Sequence, residues 1–159
     1  MILDDRPASL SHDYADMRDV ISHLIEKYSL QDRILVLLQP TTPLRSQKHI
    51  EDAIRLYLTG KYSMVMSIME ADNRCLKYGF NESGTFSHIN KPAYCFTNRQ
   101  KLPKVFAPNG AIYVFRGADF MVENQFPVNS IGTLEMSNCT SIDIDQEEDF
   151  VAAEKIMKG

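Results

Sequence analysis

The sequence predicts an α/β fold with a parallel sheet and right-handed crossovers, formed by residues 1–159 as one domain. Helical and extended patterns alternate as far as Met69, in the order helix, strand, helix, strand, which favours parallel strands joined by helices. The strand at residues 34–38 is apolar at every position, as expected where helices cover both faces of a sheet. With 159 residues, 44% of them hydrophobic, the chain is long enough to bury one core.

The first predicted helix carries an apolar stripe that faces the core. Ser11 or Asp13 can cap its N-terminus, and the spacing of its apolar residues is that of one helix face. The stripe consists of Met17, Val20, Ile21, Leu24, Ile25 and Tyr28. After the strand at residues 34–38, Pro40 and Pro43 end regular structure.

A second helix and a second strand complete the first half of the chain. Ser46 can cap this helix, and Gly60 lies where a C-terminal glycine is expected. The strand that follows spans residues 62–69. The apolar face of the helix consists of Ile50, Ala53, Ile54, Tyr57 and Leu58.

The second half begins with an irregular, polar stretch at residues 72–108, which is too long for a plain loop. It contains a hairpin turn signal at residues 81–84, so we predict a β-hairpin excursion or an interface arm. Strands are predicted at residues 111–115, 131–136 and 140–144. A last helix is predicted at residues 145–157, with Phe150, Ala153, Ile156 and Met157 facing inward.

Composition excludes several classes of function. The net charge is −4 and no run of Lys or Arg occurs, which argues against a nucleic-acid partner. The longest apolar run is too short to span a bilayer, and the N-terminus lacks a secretory signal pattern, so no membrane partner is expected. The three cysteines lack metal-site spacing, which favours reduced thiols in a cytoplasmic protein and no zinc site.

Two carboxylates, Asp143 and Asp145, are the strongest chemical signal. On a strand they would lie on one face of the sheet and could converge on one hard cation. A structural role is also open for one of them, because Asp145 can cap the last helix with Glu148 completing a capping box. The two roles are compatible. Capping does not explain Asp143, which is the better functional candidate.

Polar residues also occur where strands end, which is where ligands bind in open α/β sheets. The loop at residues 39–45 offers the Gln39 amide and the Arg45 guanidinium, or it is only a rigid turn bracketed by prolines. Asn109 and Gly110 either allow a ligand to approach closely or form a simple turn. Arg99 and a neighbouring lysine would suit an acidic substrate, although a solvated face is the default for such cations.

Together these segments resemble the acylneuraminate cytidylyltransferase family. The matching motifs lie at residues 38–45, 99–103, 109–113 and 141–145, with Asp149 and Phe150 after the last one and residues 6–8 before the first helix. They occur in the order and at the spacing of the family. The resemblance covers essentially the whole chain and corresponds to the C-terminal two-thirds of a family member.

The resemblance implies a nucleotide-diphospho-sugar transferase fold, which is a Rossmann-like sheet with flanking helices and a β-hairpin arm, here residues 72–108, that forms a homodimer. It implies transfer of CMP from CTP to the anomeric hydroxyl of a sialic (nonulosonic) acid, with release of pyrophosphate and Mg²⁺ as cofactor. Asp143 and Asp145 would be the catalytic Mg²⁺ ligands. The sugar-acid contacts would be Gln39, Arg99, Asn109 and Tyr113, with Lys77 as a further candidate.

The chain departs from the family in one respect. The resemblance also implies a first strand and a Gly-, Arg- and Lys-rich loop that holds the nucleotide, and no segment here matches them. We therefore expect an N-terminally incomplete sheet and a chain that is inactive alone. Two alternatives stay open: a non-catalytic sugar-acid-binding or assembly module derived from the family, and a nucleotidyltransferase with another base or sugar.

Overall fold

The computed structural model describes residues 3–12 and 14–158. It is a mixed α/β fold with a central four-stranded sheet, flanking helices and a separate two-stranded sheet, consistent with a Rossmann-like architecture. The strands are β1 (Ile34–Leu37), β2 (Met64–Ala71), β3 (Gly79–Glu82), β4 (Thr85–His88), β5 (Val105–Arg116) and β6 (Ile131–Glu135). The helices are α1 (Met17–Lys27), α2 (Gln47–Tyr57), α3 (Gly117–Glu123) and α4 (Glu147–Lys158). No helix among the described residues is long and apolar enough to cross a bilayer.

The central sheet is mixed, and the predicted α/β class is confirmed. The predicted parallel arrangement holds for β1, β2 and β6, whereas β5 runs in the opposite direction. The strand order of the sheet is β1-β5-β2-β6. β6 runs parallel to β2, whereas β5 is antiparallel to both β1 and β2. The reason is the excursion at residues 72–104, which leaves the sheet at Ala71 and returns at Val105. These two residues are register partners, so β5 must run back along β2.

The helix starts follow the predicted chemistry in part. Ser46 caps α2 as predicted, because its Oγ accepts from His49 N. The Ser46 N–H donates to His49 Nδ1, which completes a capping box. For α1 the cap is Asp16, whose carboxylate accepts from Arg18 N at 2.8 Å, so the predicted Ser11 cap is wrong. The alternative cap, Asp13, lies outside the described residues.

Helices cover both faces of the sheet, and a buried core lies on each side. Ala53 of α2 packs with Ile112 and Val114 of β5 on one side. On the other side α1 and α3 pack on the alternate residues of β5, because successive side chains of a strand point to opposite faces. That second core contains Ile21, Ile25, Met64, Phe115 and Phe120.

The predicted strand at residues 140–144 is wrong. A 3-10 turn occupies Asn138–Thr140, and the extended segment that follows it pairs with no strand of the described residues. Its Ile144 N–H donates to Thr41 O at 2.8 Å, so it bonds to a loop and not to a sheet. The alternation of the strand pattern persists, since Asp143 and Asp145 are exposed and the isoleucines between and before them are half-buried.

The last helix begins differently from the prediction. Asp149 Oδ2 accepts from the N–H groups of Asp145 at 3.2 Å and Gln146 at 3.1 Å. The predicted capping box of Asp145 and Glu148 is therefore wrong, because Asp149 is the residue that reaches back. The predicted inward face is also largely wrong, since only Ala153 of its four residues is buried. The exposed members are Phe150, Ile156 and Met157.

Residues 72–108 contain the predicted hairpin. β3 and β4 pair with Glu82 opposite Thr85, so the turn lies at residues 83 and 84. Short 3-10 turns flank the hairpin at Asn73–Lys77, Pro92–Phe96 and Arg99–Lys101.

Candidate active site

The candidate site lies at the edge of the sheet where β1 and β6 end. Leu37, the last residue of β1, is the register partner of Tyr113. Glu135, the last residue of β6, is the partner of Ile68, and Ile68 also faces Pro108 of β5. The loop after β1 and the 109–113 stretch of β5 therefore meet at the carboxyl ends of the parallel strands, which is where this class of sheet binds ligands.

A bulge in β5 shapes the floor of this edge. Met66 faces Tyr113 and Ile68 faces Pro108, so Ser67 alone lies opposite residues 109–112. Asn109 and Gly110 thus belong to a bulge inside a long strand, and the simple hairpin turn considered from the sequence is wrong. Bulges frequently occur beside active sites, where they redirect side chains.

Gln39 packs directly on this bulge. Gly110 has a φ of +74°, and a Cβ at this position would overlap Gln39 Oε1. Only glycine combines this left-handed backbone with room for the Gln39 amide. The structure therefore brings Gln39 to the Asn109–Gly110 bulge, as the two motifs require if they serve one site.

We expect Gly110→Ala to lower the free energy of unfolding and to displace Gln39. Left-handed backbone costs a non-glycine residue about 1–2 kcal/mol. Gly60→Ala is the matched control, because Gly60 has a φ of +71° and open space around it. Urea unfolding should show a larger loss for Gly110→Ala than for Gly60→Ala, and equal losses would show that the contact with Gln39 is unimportant.

The loop at residues 39–45 is braced from within. Arg45 Nη1 donates to Gln39 O at 2.7 Å and to Thr42 O at 2.6 Å, and burial lowers the pKa of its guanidinium. The turn interpretation therefore describes Arg45 in part, because its Nη1 donors are used inside the loop. Thr41 O accepts from Ile144 N, which fastens the loop to the segment that carries the acids.

Asn109 joins the bulge to the same segment. Its side chain is 5% exposed, and its Nδ2 donates to Ser141 Oγ at 2.8 Å. Its Oδ1 accepts from Ser67 Oγ at 2.6 Å. Ser67 was missed in the sequence, although a single serine inside the apolar β2 was an available signal, because a buried hydroxyl needs a hydrogen-bond partner.

Asp143 and Asp145 supply the two carboxylates of the site. Both are exposed, and no hydrogen bond or ion pair engages either carboxylate in the described part of the chain. Within residues 3–12 and 14–158, no group of three or more His, Cys, Asp or Glu residues could hold a metal ion. Two free carboxylates nevertheless fit Mg²⁺, which commonly takes one or two carboxylates and completes its shell with water and substrate phosphates.

Tyr113 lies on β5 close enough to Asp143 for the charge of its carboxylate to act on the phenol. It is half-buried and stacks on Phe126 with ring centroids 5.2 Å apart. Burial raises the pKa of its phenol above the ordinary 10.0, and the negative charge of Asp143 raises it further. The structure thus brings together Gln39, Tyr113 and Asp143 at one edge of the sheet.

We expect Asp143→Asn to lower the pKa of Tyr113, because removal of the negative charge makes the phenolate easier to form. In the wild-type protein the raised pKa means that Tyr113 contributes stability below pH 10, which is lost as the pH rises through the pKa of the folded protein. The ¹³Cζ resonance of Tyr113 measures the titration. An unchanged midpoint in Asp143→Asn would show that the two groups are not coupled.

Arg99 and Lys77 form no hydrogen bond or ion pair with this group in the described residues. Arg99 lines a cleft of about 520 Å³ with Glu135 and Ser137, and its Nη2 lies 3.6 Å from Asp72 Oδ1. The cleft adjoins the site through Met136, whose Sδ lies 3.5 Å from Asn109 Nδ2. Lys77 ends a 3-10 turn, and in the described chain no hydrogen bond or ion pair joins its ammonium to another predicted site residue.

Comparison with known proteins supports the resemblance found in the motifs. An N-acylneuraminate cytidylyltransferase of Streptococcus agalactiae serotype III (strain NEM316) is 27% identical over 154 residues, covering 92% of this chain and 35% of the relative. An N-acylneuraminate cytidylyltransferase of Escherichia coli O18:K1:H7 (strain RS218) is 29% identical over 150 residues, covering 93% and 35%. The chain resembles the acylneuraminate cytidylyltransferases along nearly its whole length.

A further relative differs in length. The post-translational flagellin modification protein B of Campylobacter coli is 29% identical over 159 residues, covering 96% of this chain and 66% of the relative. The chain therefore spans about a third of the streptococcal and E. coli enzymes and 66% of the Campylobacter protein, so the predicted share of two-thirds fits only the last. No protein-family model matches the chain.

Proposed function

We propose that this chain forms the sugar-acid and metal part of a nucleotidyltransferase. The reaction transfers CMP from CTP to the anomeric hydroxyl of a sialic-acid-type sugar. The hydroxyl oxygen loses its proton to solvent and forms a bond to the α-phosphorus, while the bond from the α-phosphorus to the bridging oxygen breaks to release pyrophosphate. The observation that carries the proposal is the meeting of Gln39, Tyr113 and Asp143 at the carboxyl edge of the sheet.

The residues of this edge have chemistry that suits an acidic sugar. The Gln39 amide and the Tyr113 hydroxyl can each donate and accept hydrogen bonds to sugar hydroxyls. Arg99 suits the carboxylate, because a guanidinium binds it through two parallel hydrogen bonds, and Lys77 offers a second cation. Arg99 is exposed and its ion pair with Asp72 is long, so it can exchange Asp72 for a ligand at small cost.

Asp143 and Asp145 would hold Mg²⁺. When bound, the ion neutralises the charge that develops on the leaving pyrophosphate. The exposure of both carboxylates supports this role, because among residues 3–12 and 14–158 neither has a partner to give up when it binds the ion.

A chimera tests the proposed activity. Residues 3–158 would replace the matching region of the E. coli relative, which supplies the remaining sequence. With CTP, N-acetylneuraminic acid and Mg²⁺, we expect CMP-sugar and pyrophosphate in equal amounts. A folded chimera that forms neither product would contradict the proposal. Turnover with another nucleoside triphosphate in place of CTP would replace cytosine as the proposed base. Turnover with another nonulosonic acid in place of N-acetylneuraminic acid would replace the proposed sugar.

The exposed arm supports a homodimer as part of the proposal. Residues 72–108 carry several exposed apolar side chains, a density typical of interaction surfaces. They are Tyr78, Phe80, Phe86, Ile89, Phe96 and Phe106.

We expect the protein to sediment at twice the mass of the chain, and Phe80→Asp to sediment as a monomer, because a charge in the interface would have to be desolvated. Val122→Asp is the control, since Val122 is exposed but lies on α3. Analytical ultracentrifugation measures both. A Phe80→Asp variant that still sediments as a dimer would show that the arm does not form the interface. A wild-type protein that sediments as a monomer would show the same.

A second candidate, a non-catalytic sugar-acid-binding or assembly module, is favoured by the same arm. Calorimetry separates the two, because binding of the sugar acid with no dependence on CTP or metal indicates the module. A cytoplasmic location is also proposed. The free thiols of Cys75, Cys95 and Cys139 support it, since such compartments keep cysteines reduced.

A further inference from the structure

We infer that Asn109 is a positioning residue that acts on Asp143 through Ser141, and that it does not contact the sugar acid. The inference rests on the proposed function, because it concerns the same site. It assigns the buried asparagine a different role from the substrate contact that the sequence motif suggests.

The Asn109 amide has no capacity left for a ligand. Its Oδ1 accepts from Ser67 Oγ at 2.6 Å and from Ala111 N at 3.2 Å. Its Nδ2 donates to Ser141 Oγ at 2.8 Å and lies 3.5 Å from Met136 Sδ. A side-chain amide has two donor hydrogens and two acceptor positions, so all four are used. A ligand could bind only by breaking one of these buried interactions.

Ser141 fixes the start of the segment that carries Asp143. Ser141 is buried, accepts from Asn109, and donates through its Oγ to Ser137 O at 2.8 Å. Ile144 N donates to Thr41 O on the other side of Asp143. The backbone that carries Asp143 is therefore held at residues 141 and 144, while the Asp143 carboxylate itself is free.

The other end of this connection is held in the sheet by hydrogen bonds. Ser67 lies opposite the bulge and accepts from Ile112 N at 2.8 Å while donating to Asn109. The bulge, Ser67 and Asn109 thus form one buried network that joins β2 and β5 to Ser141. Buried networks in which every group is satisfied hold their members in one arrangement, so the sheet sets the position of Asp143 through Asn109.

Nuclear magnetic resonance of the intact chain tests the inference with Mn²⁺ as the metal probe. In the wild-type protein Mn²⁺ should broaden the amide signals of residues 143–145. In Asn109→Ala and in Ser141→Ala, we expect the concentration for half-broadening to rise at least fivefold. The double variant should show no further rise, because both residues act through one connection.

The second readout is the affinity for N-acetylneuraminic acid, which should change less than twofold in both variants. Asn129→Ala is the matched control, because Asn129 is exposed and bonds only to Glu123 in the described chain. It should change neither affinity. If Asn109→Ala does not fold, Ser141→Ala gives the same two measurements.

The outcomes separate the inference from the proposed function. A folded Asn109→Ala or Ser141→Ala variant with unchanged Mn²⁺ affinity overturns the inference alone. A folded Asn109→Ala variant that loses tenfold or more of its sugar affinity makes Asn109 a substrate contact, which also overturns it. A wild-type protein whose 143–145 signals do not respond to Mn²⁺ overturns both the metal site of the proposed function and the role of Asn109.

Discussion

Asp143→Asn is expected to slow CMP-sugar formation by the chimera about a hundredfold to ten-thousandfold, because metal stabilisation of developing charge contributes several kcal/mol. Asp145→Asn should also lose orders of magnitude in rate. An asparagine keeps the shape of the side chain but removes the charge that binds the cation. Product formation at saturating CTP and sugar, followed across a Mg²⁺ titration, measures the effect.

Glu148→Gln is the control for a general effect of charge. Glu148 lies in the first turn of α4 beside the same segment, and the substitution removes the same single charge. We expect less than a twofold change in rate. Near-normal rates for both aspartate variants would mean that Asp143 and Asp145 only contribute charge to the surface. An equal loss of rate in Glu148→Gln would indicate a nonspecific electrostatic effect.

Phe120→Ala is expected to lower the free energy of unfolding by about 3–5 kcal/mol, the usual cost of removing a buried phenylalanine. Phe120 is 0% exposed, and its ring centroid lies 5.4 Å from those of Phe115 and Phe126. Phe126 in turn stacks on Tyr113. The substitution thus leaves a cavity in the core that supports the site from below.

Val122→Ala is the matched control on the same helix, because Val122 is 86% exposed. Its free energy of unfolding should change by less than about 0.5 kcal/mol. Urea unfolding followed by circular dichroism measures both variants. A loss below 1 kcal/mol for Phe120→Ala would mean that α3 is not packed on the sheet as described.

The elements with local signals were predicted from the sequence. The stripes of α1 and α2, apart from the exposed Met17 and Leu58, depend on neighbouring residues. The same is true of the Ser46 cap and the hairpin at residues 81–84. The direction of β5 does not depend on neighbouring residues, since it is set by where the excursion at residues 72–104 re-enters the sheet. Because that re-entry depends on distant pairing, the spacing of apolar residues could not reveal it.

The errors near the site have similar causes. Residues 141–145 alternate as a half-exposed strand does, but a strand also needs a partner, and Ile144 finds Thr41 instead. Two capping arrangements of the last helix differ by one residue. The predicted one pairs Asp145 with Glu148, the observed one pairs Gln146 with Asp149, and the local sequence is compatible with both. Asn109 precedes a glycine, which favours an exposed turn, whereas the bulge in β5 buries it.

Some residues that lie together at the candidate site were predicted, but the hydrogen bonds among its residues were not. The resemblance named Gln39, Tyr113 and Asp143, and the structure places them at one edge. It could not show that Arg45 Nη1 and the Asn109 amide bond to other groups of the protein, because this depends on the three-dimensional positions of Thr42, Ser67 and Ser141.

The central claim is that a sugar acid and a divalent cation bind at the carboxyl edge of this sheet. The most direct test is the amide spectrum of the intact chain titrated with N-acetylneuraminic acid and Mg²⁺. We predict saturable shifts at Gln39, Gly110, Tyr113 and Asp143, with the signals of α3 residues such as Val122 unchanged. Saturable shifts confined to other surfaces, or no shift at these four residues at millimolar sugar, would contradict the account.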